Sequence, residues 1–302
     1  SSLCTYKNQR KFSFIISFVD GRIYDYYYNN KLLIQKGPIL NYFRAFTDND
    51  VKNAGDWNLK HLHSMRQVIY EADVKRLDNE TRIYLKGKFS PQGLDWATNI
   101  DICYQVLADG SIYVSYDGKF QGNCGNELPK IGTQMQLPKE YSNVLYSGFG
   151  PDECYCDSKE HTSYGIYKSD YIKMQTNYIY PQENGNRTGV NWFVMDNDNI
   201  GIAVGSINPK DFSVRDIEDY DLYKCNHEIN LNREDYLLVN FDYKNSGLGS
   251  GSCGPVSLSS YKAYTIPYNF GFSIVPFDNK KDLISLAHKA LDFEKTIINE
   301  KQ

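Results

Sequence analysis

The chain has 302 residues, a formal net charge of −4 and 41% hydrophobic residues. This length can bury a full core, either in one large all-β domain or in two ordinary domains. Lysine and arginine are scattered along the sequence, which excludes the concentrated basic face that nucleic-acid binding requires. No apolar run reaches the roughly 18 residues of a membrane span, so we expect neither nucleic acid nor a membrane as a partner.

Runs of alternating, β-branched or aromatic residues predict eleven strands separated by turn signals. Asp109-Gly110 stands between two of these runs and predicts a tight hairpin. The predicted strands are Lys11–Phe18, Gly21–Tyr28, Val68–Tyr70, Thr81–Lys86, Ile100–Val106, Ser111–Phe120, Val144–Tyr146, Asn191–Val194, Ile200–Ile207, Tyr236–Phe241 and Phe270–Val275.

Helical spacing is clear only at the end of the chain, between Asp282 and Ile298, after Asp278 and Asn279 as candidate caps. Many strands joined by short turns, with one helix, predict an all-β protein built as a large antiparallel sandwich. We expect a single sandwich domain over residues 1–278 and a short C-terminal helical extension over residues 279–302.

The number and spacing of the cysteines indicate the redox state of the cellular compartment. The seven cysteines are odd in number and form no zinc-like CxxC pairs, which favours a reducing compartment over a disulfide framework. We therefore expect a cytoplasmic protein. The chain opens with Ser1-Ser2-Leu3 rather than Met, and we expect it to be a fragment or a trimmed form of a longer chain.

Two polar clusters interrupt the strand pattern, at Gly148–Tyr155 and at Tyr180–Arg187. Their carboxylates, amides, arginine and aromatic rings are what a hydroxyl-rich ligand such as a sugar needs. The alternative is an internal network, with Arg187 bridging carboxylates and Asn184-Gly185 forming a turn. The candidate sugar cleft consists of Asp152, Glu153, Gln182, Glu183, Asn186 and Arg187.

Other polar residues favour structural roles. We expect a polar knot that locks a loop against a neighbouring domain, formed by Arg44, Asp48, Asn49 and Asp50. His61 and His63 stand one residue apart without a third ligand, so we expect no metal site there. We expect hydrogen-bonded structural roles for Glu127, His161 and His227.

Six ordered motifs resemble the last domain of the family 2 β-galactosidases, which is also the core of the small subunit in two-chain enzymes. Gly37–Asp50 resembles the family's F-x-R-A-x-T-D-N-D signature. The other five are Leu128–Gly132 (L-P-R-I-G), Tyr146–Tyr155 (G-x-G-P-x-E-N-Y), Tyr178–Arg187 (Y-x-x-P-Q-E-N-G-N-R), His227 (H-x-x-x-L) and Gly247–Pro255 (G-V-G-S-x-x-C-G-P). The chain departs from these motifs at Tyr42, Phe46, Lys130 and Cys154, and we recognise no counterpart after Phe277.

The resemblance implies a galactose-mutarotase-like supersandwich and a parent enzyme that hydrolyses terminal β-galactosides with retention. Such chemistry needs two carboxyl groups roughly 5 Å apart, and in this family both lie on a preceding TIM barrel. A barrel takes about 250 residues, so there is no room for one here. We therefore expect no catalytic residue in this chain and no hydrolysis by the chain alone.

The resemblance also implies partners. These are the β-galactoside sugar and the barrel-containing remainder of the enzyme, while homo-oligomerisation stays open. It implies no cofactor for this domain, although the parent enzymes can use Mg and Na.

The resemblance further implies that one loop contributes to the galactose pocket. Its candidate residues are Gly249, Ser250, Ser252 and Cys253, and Cys253 would shape the wall of the pocket. We expect the glycines between Gly247 and Gly254 to allow unusual dihedral angles in this loop. The alternative is a surface turn that links two strands.

Two other functions remain open at this point. An aldose 1-epimerase-like enzyme would need a Glu base facing a His acid across a cleft, with Glu183 and either His161 or His227 as candidates. A carbohydrate-binding module would instead line the cleft with stacked tyrosines, and the chain has 26 tyrosines.

Overall fold

The computed structural model describes residues 3–8, 11–279 and 282–300. These residues form seventeen β-strands and four α-helices. The strands are β1 Leu3–Asn8, β2 Phe12–Ser17, β3 Ile23–Tyr28, β4 Lys31–Asn41, β5 Met65–Arg76, β6 Glu80–Pro91, β7 Ala97–Leu107, β8 Ile112–Gln121, β9 Glu127–Leu128, β10 Lys130–Pro138, β11 Asn143–Gly150, β12 Ser163–Asp170, β13 Arg187–Asp196, β14 Ile200–Arg215, β15 Tyr236–Asn245, β16 Ala263–Tyr264 and β17 Tyr268–Asp278. The helices are α1 Val51–Leu59, α2 Tyr171–Met174, α3 Asp219–Lys224 and α4 Leu283–Glu300.

Fifteen strands join one sheet, in the order β1-β2-β3-β4-β10-β15-β14-β17-β8-β7-β6-β5, with β13, β11 and β12 branching from β14. An open sheet of this size curls because each strand twists relative to its neighbour. One hydrophobic cluster fills the space that the curled sheet encloses, from Phe12 on β2 to Ile274 on β17. The predicted antiparallel sandwich is therefore confirmed.

All eleven predicted strands overlap observed ones, and the hairpin at Asp109-Gly110 joins β7 to β8. The sequence patterns missed six strands, namely β1, β4, β9, β10, β12 and β16. Gly37 and Pro38 interrupt β4 with residues that ordinarily signal a turn. The alternating pattern is absent from β10, because buried polar residues such as Thr133 stand inside it.

The predicted C-terminal helix is confirmed as α4, but its expected caps are wrong. Asp278 is the last residue of β17. The carboxylate of Asp282 instead accepts hydrogen bonds from the backbone N–H groups of Ile284 and Ser285, at 3.1 and 3.2 Å. Helix α1 was missed because it buries only Trp57 and therefore shows no apolar periodicity.

Helix α4 packs against the outer face of β13, β14 and β17. Ala287 and Ala290 are fully buried there, against side chains that include Trp192 and Phe277. Gly205 on β14 allows this close approach, since an added Cβ would lie 3.0 Å from the Cβ of Ala290. The expected boundary between the sandwich domain and the helical extension, near residue 278, thus coincides with the end of β17. Helix α4 then folds back onto the sheet.

Candidate functional site

Loop segments after β4, between β11 and β12, before β13 and after β15 converge around one cavity of about 260 Å³. This cavity, called here the loop cavity, takes its walls from both predicted polar clusters and from the loop after β15. Its lining residues are Thr47, Asp48, Asn49, Glu153, Tyr155, Tyr178, Gln182, Glu183, Leu248 and Ser252.

The loop after β15, called here the 247–255 loop, is pinned on two sides. The carboxylate of Asp157 accepts the backbone N–H groups of Leu248 and Gly249 at 3.0 and 2.8 Å. On the other side, Asn49 Oδ1 accepts the Ser252 hydroxyl at 2.8 Å. Ser252 and Cys253 are exposed. The loop therefore presents these two side chains from a fixed backbone.

Of the four loop glycines expected to permit unusual dihedral angles, Gly249 has a positive φ, at +63°, and the other three do not. Gly247, Gly251 and Gly254 are instead needed for close approach; for example, a Cβ on Gly251 would lie 2.3 Å from the Asn49 carbonyl oxygen.

The predicted polar knot forms in part, around Arg44 and Asp50, whereas Asp48 and Asn49 contact Gln182 and Ser252 instead. The Arg44 guanidinium donates to both carboxylate oxygens of Asp50, at 3.2 and 2.7 Å, and to Asn245 Oδ1 and the Ser246 carbonyl. Burial alone would lower the pKa of Arg44, but the adjacent Asp50 carboxylate raises it above its ordinary value. The knot thus ties the segment after β4 to the end of β15 in the same chain.

Three residues of the candidate sugar cleft, Glu153, Gln182 and Glu183, line the loop cavity, and neighbouring groups hold their polar atoms. Glu153 accepts the Tyr178 hydroxyl at 2.6 Å and the backbone N–H of Gly185. The amide of Gln182 exchanges hydrogen bonds with Asp48 across the cavity, at 3.0 and 3.3 Å.

The other three cleft candidates are placed differently. Asp152 is exposed and does not line the cavity. Asn186 donates to the Cys154 carbonyl and to Asp211, at 2.8 and 3.1 Å. The idea that Arg187 bridges carboxylates is wrong, because its guanidinium donates to the Tyr146 hydroxyl and to the carbonyls of Pro151, Gly185 and Asn186.

Glu183 also belongs to a buried charge layer that reaches the cavity wall, and sequence reasoning missed the remaining members of this layer. The Glu183 carboxylate lies 3.1 Å from Arg215, which also pairs with Asp219. Lys130 lies 3.4 Å from Asp242. Burial raises the pKa of Asp242 to about 7, although Lys130 opposes that shift. The only sequence signal was the presence of charged residues inside strand-like runs.

The remaining candidates have structural contacts. His161 Nε2 lies 3.0 Å from the Glu153 carbonyl oxygen, Glu127 pairs with Lys262 at 2.7 Å, and the His63 ring stacks on Tyr220. Because Glu183 is buried against Arg215, it does not face a histidine across an open cleft, which disfavours the epimerase-like alternative.

Among the residues that the structure describes, no three His, Cys, Asp or Glu side chains converge to hold a metal. Within the same ranges, no helix has both the length and the apolar character needed to cross a bilayer.

Comparison with known proteins gives one matching family model, described as the β-galactosidase small chain, over residues 8–274. The β-galactosidase of Actinobacillus pleuropneumoniae is 27% identical over 245 residues, which cover 81% of this chain and 24% of the relative. The β-galactosidase of Kluyveromyces lactis is 25% identical over 267 residues, covering 86% and 26%. The chain therefore spans about a quarter of the length of these relatives.

Among solved structures, galactose 1-epimerase from Lactobacillus acidophilus NCFM superposes with a TM-score of 0.52 and 7% sequence identity. The match covers 92% of this chain and 95% of the epimerase. At this identity the likeness concerns the fold alone. It confirms the predicted galactose-mutarotase-like supersandwich.

Proposed function

The chain belongs to the β-galactosidase small-chain family, and from this premise we propose that it is the C-terminal domain or small subunit of a retaining β-galactosidase. In this proposal the larger enzyme hydrolyses terminal β-galactosides on a barrel outside this chain. The chain itself shapes the mouth of the active site and supplies contacts to the rest of the enzyme.

The observation that carries this proposal is the pinned 247–255 loop at the rim of the loop cavity. Asp157 and Asn49 hold its backbone, so the exposed Ser252 and Cys253 occupy defined positions. A pocket wall needs this kind of preorganisation, because each side chain must be placed before the ligand arrives. The Cys253 thiol is too small to stack on a sugar ring and would limit the size of the pocket.

The chemistry is assigned to the remainder of the enzyme because the carboxylates beneath the cavity are already used. Glu183 and Asp219 are both held by Arg215, whereas a retaining mechanism needs one free nucleophile and one acid/base. We assign Mg and Na to the remainder as well. The cytoplasmic location stays a prediction.

The test is a hydrolysis assay on a chromogenic β-galactoside, first with this chain and then with the chain mixed with a barrel-containing large fragment. We expect no turnover by the chain alone and activity on mixing. Turnover by the chain alone would overturn the proposal. A mixture in which the two parts bind each other but hydrolyse no substrate would also overturn it.

A loop variant sharpens this assay. In Gly251→Ala the new Cβ would collide with the Asn49 carbonyl and displace the loop, so we expect activity on mixing to fall by about tenfold or more. The matched control is Gly55→Ala, where an added Cβ meets no atom within 4 Å. It should leave the activity unchanged.

A further inference from the structure

The loop cavity carries negative charge that the described part of the chain does not neutralise. Around it, Asp50 pairs with Arg44 at 2.7 Å and Glu183 with Arg215 at 3.1 Å. On its wall, Asp48 and Glu153 form no ion pair with any described residue, and their hydrogen-bond partners are an amide, a phenol and a backbone N–H. The cavity therefore favours a cationic occupant.

A buried hydroxyl group on the wall of the cavity also lacks a partner. Tyr155 Oη is buried without a hydrogen bond to any described residue, and Tyr155 is only 2% exposed. Leaving a buried hydroxyl unpaired is unfavourable, and native proteins rarely do so. Because Tyr155 lines the loop cavity, an occupant of this cavity is placed to supply the partner.

The size and walls of the cavity suit one long side chain. Its volume of about 260 Å³ lies just below the roughly 300–1,000 Å³ of small-molecule sites. Leu248 and the ring of Tyr178 give it apolar surface on which an aliphatic stem can pack. A lysine or arginine head group only donates hydrogen bonds, so it can satisfy hydroxyl oxygens and carboxylates together.

We propose that the loop cavity is a socket for a lysine or arginine side chain from the part of the enzyme outside this chain. The inference rests on the proposed function, since the relatives are about four times as long as the segment matched here. In the assembled enzyme Asp48 and Glu153 neutralise the cation. A neutral sugar in the same cavity would leave both carboxylates uncompensated.

The first experiment measures assembly with the barrel-containing fragment as a function of salt. The double variant Asp48→Asn/Glu153→Gln should raise the Kd for the fragment about tenfold or more and flatten its dependence on NaCl. The control, Asp73→Asn/Asp101→Asn, removes the same charge from exposed strand positions on β5 and β7. If both variants behave like the wild type, the socket is overturned while the proposed function stands.

The second experiment uses the chain alone and so does not depend on assembly. Amide chemical shifts are followed while Nα-acetyl-arginine methyl ester, its neutral isostere Nα-acetyl-citrulline methyl ester, or galactose is added. We expect saturable shifts at Thr47, Glu153 and Ser252 with arginine only, and their loss in Asp48→Asn/Glu153→Gln. Equal shifts with citrulline, shifts with galactose alone, or no shifts at all would contradict a cation socket.

A failure of the socket proposal and a failure of the proposed function give different results. If the wild-type chain does not bind the large fragment under any condition, the proposed function fails. The titration then still decides whether the cavity selects a cation.

Discussion

Individual charged residues hold together the segments that build the candidate site. Arg215 lies on β14, yet it binds Glu183 from the loop before β13 and Asp219 from α3. Removing one member of such a buried pair leaves an uncompensated charge, which is far costlier than the net stabilisation that the pair provides. The charge layer therefore fixes the position of the loops.

Asp242 makes this layer sensitive to pH. Its folded-state pKa of about 7 lies above the unfolded value of about 3.9, so between these two values the unfolded state binds fewer protons. Stability contributed by this group is therefore lost as pH rises from about 4 to 7. We expect the free energy of unfolding of the wild type, relative to Asp242→Asn, to fall by about 2 kcal/mol from pH 5 to pH 7.5.

Urea unfolding at the two pH values measures this difference. Asp101→Asn on the exposed face of β7 serves as the charge-matched control. If the difference in unfolding free energy between the wild type and Asp242→Asn stays constant with pH, the raised pKa of Asp242 is contradicted. A constant difference would result from lost contacts rather than from titration of the carboxyl group.

At the scale of elements, the 247–255 loop shows how one carboxylate can order a segment that lacks regular secondary structure. Asp157 binds two consecutive N–H groups of the loop. In Asp157→Ala we expect faster amide hydrogen exchange at Leu248 and Gly249, with a loss of about 1–3 kcal/mol in global stability.

Asp152→Ala is the control for this prediction, since Asp152 lies in the same connection between β11 and β12 but is exposed. Exchange rates that rise equally in both variants, or in neither, would show that Asp157 does not order the loop.

The elements that could be predicted are those whose side chains alternate. Strand β6 alternates buried and less buried residues along its length, and the Asp109-Gly110 turn was recognisable from two residues. Strand β10 could not be found, because it lies in the middle of the sheet and buries Lys130 and Thr133 there. Its pattern reflects the charge layer, and the sequence alone does not show the partners that make such burial possible.

The site could be predicted only in part for the same reason. The motif resemblance identified the loop and both polar clusters, and the fold brings them to one cavity. Asp157 and Arg215 were missed, since Asp157 binds Gly249, 92 positions away in sequence, and Arg215 binds Glu183, 32 positions away. Nothing local distinguishes them from other charged residues.

For the molecule as a whole, α4 covers an apolar face that the sheet alone would leave open. Removing residues 279–302 would expose Trp192, Phe277 and their neighbours on the outer surface. We expect this truncated chain to unfold at lower urea concentration and to self-associate, as measured by urea unfolding and light scattering. Ile284→Ala, at a position 40% exposed on α4, should change neither property. A truncated chain that stays monomeric and equally stable would instead make the helix a dispensable extension.

The strand order also governs how the chain can reach its native state. The runs β1 to β4 and β5 to β8 pair only sequence neighbours within themselves, whereas β4 pairs with β10, β10 with β15 and β8 with β17. The last of these joins Tyr268 to Gly118, across a loop of about 150 residues, and closing such loops slows folding. During synthesis the two meanders can form early, but the strands that unite them leave the ribosome after both meanders. Until β17 has been made, the nascent chain exposes the inner faces of both meanders and depends on protection from aggregation.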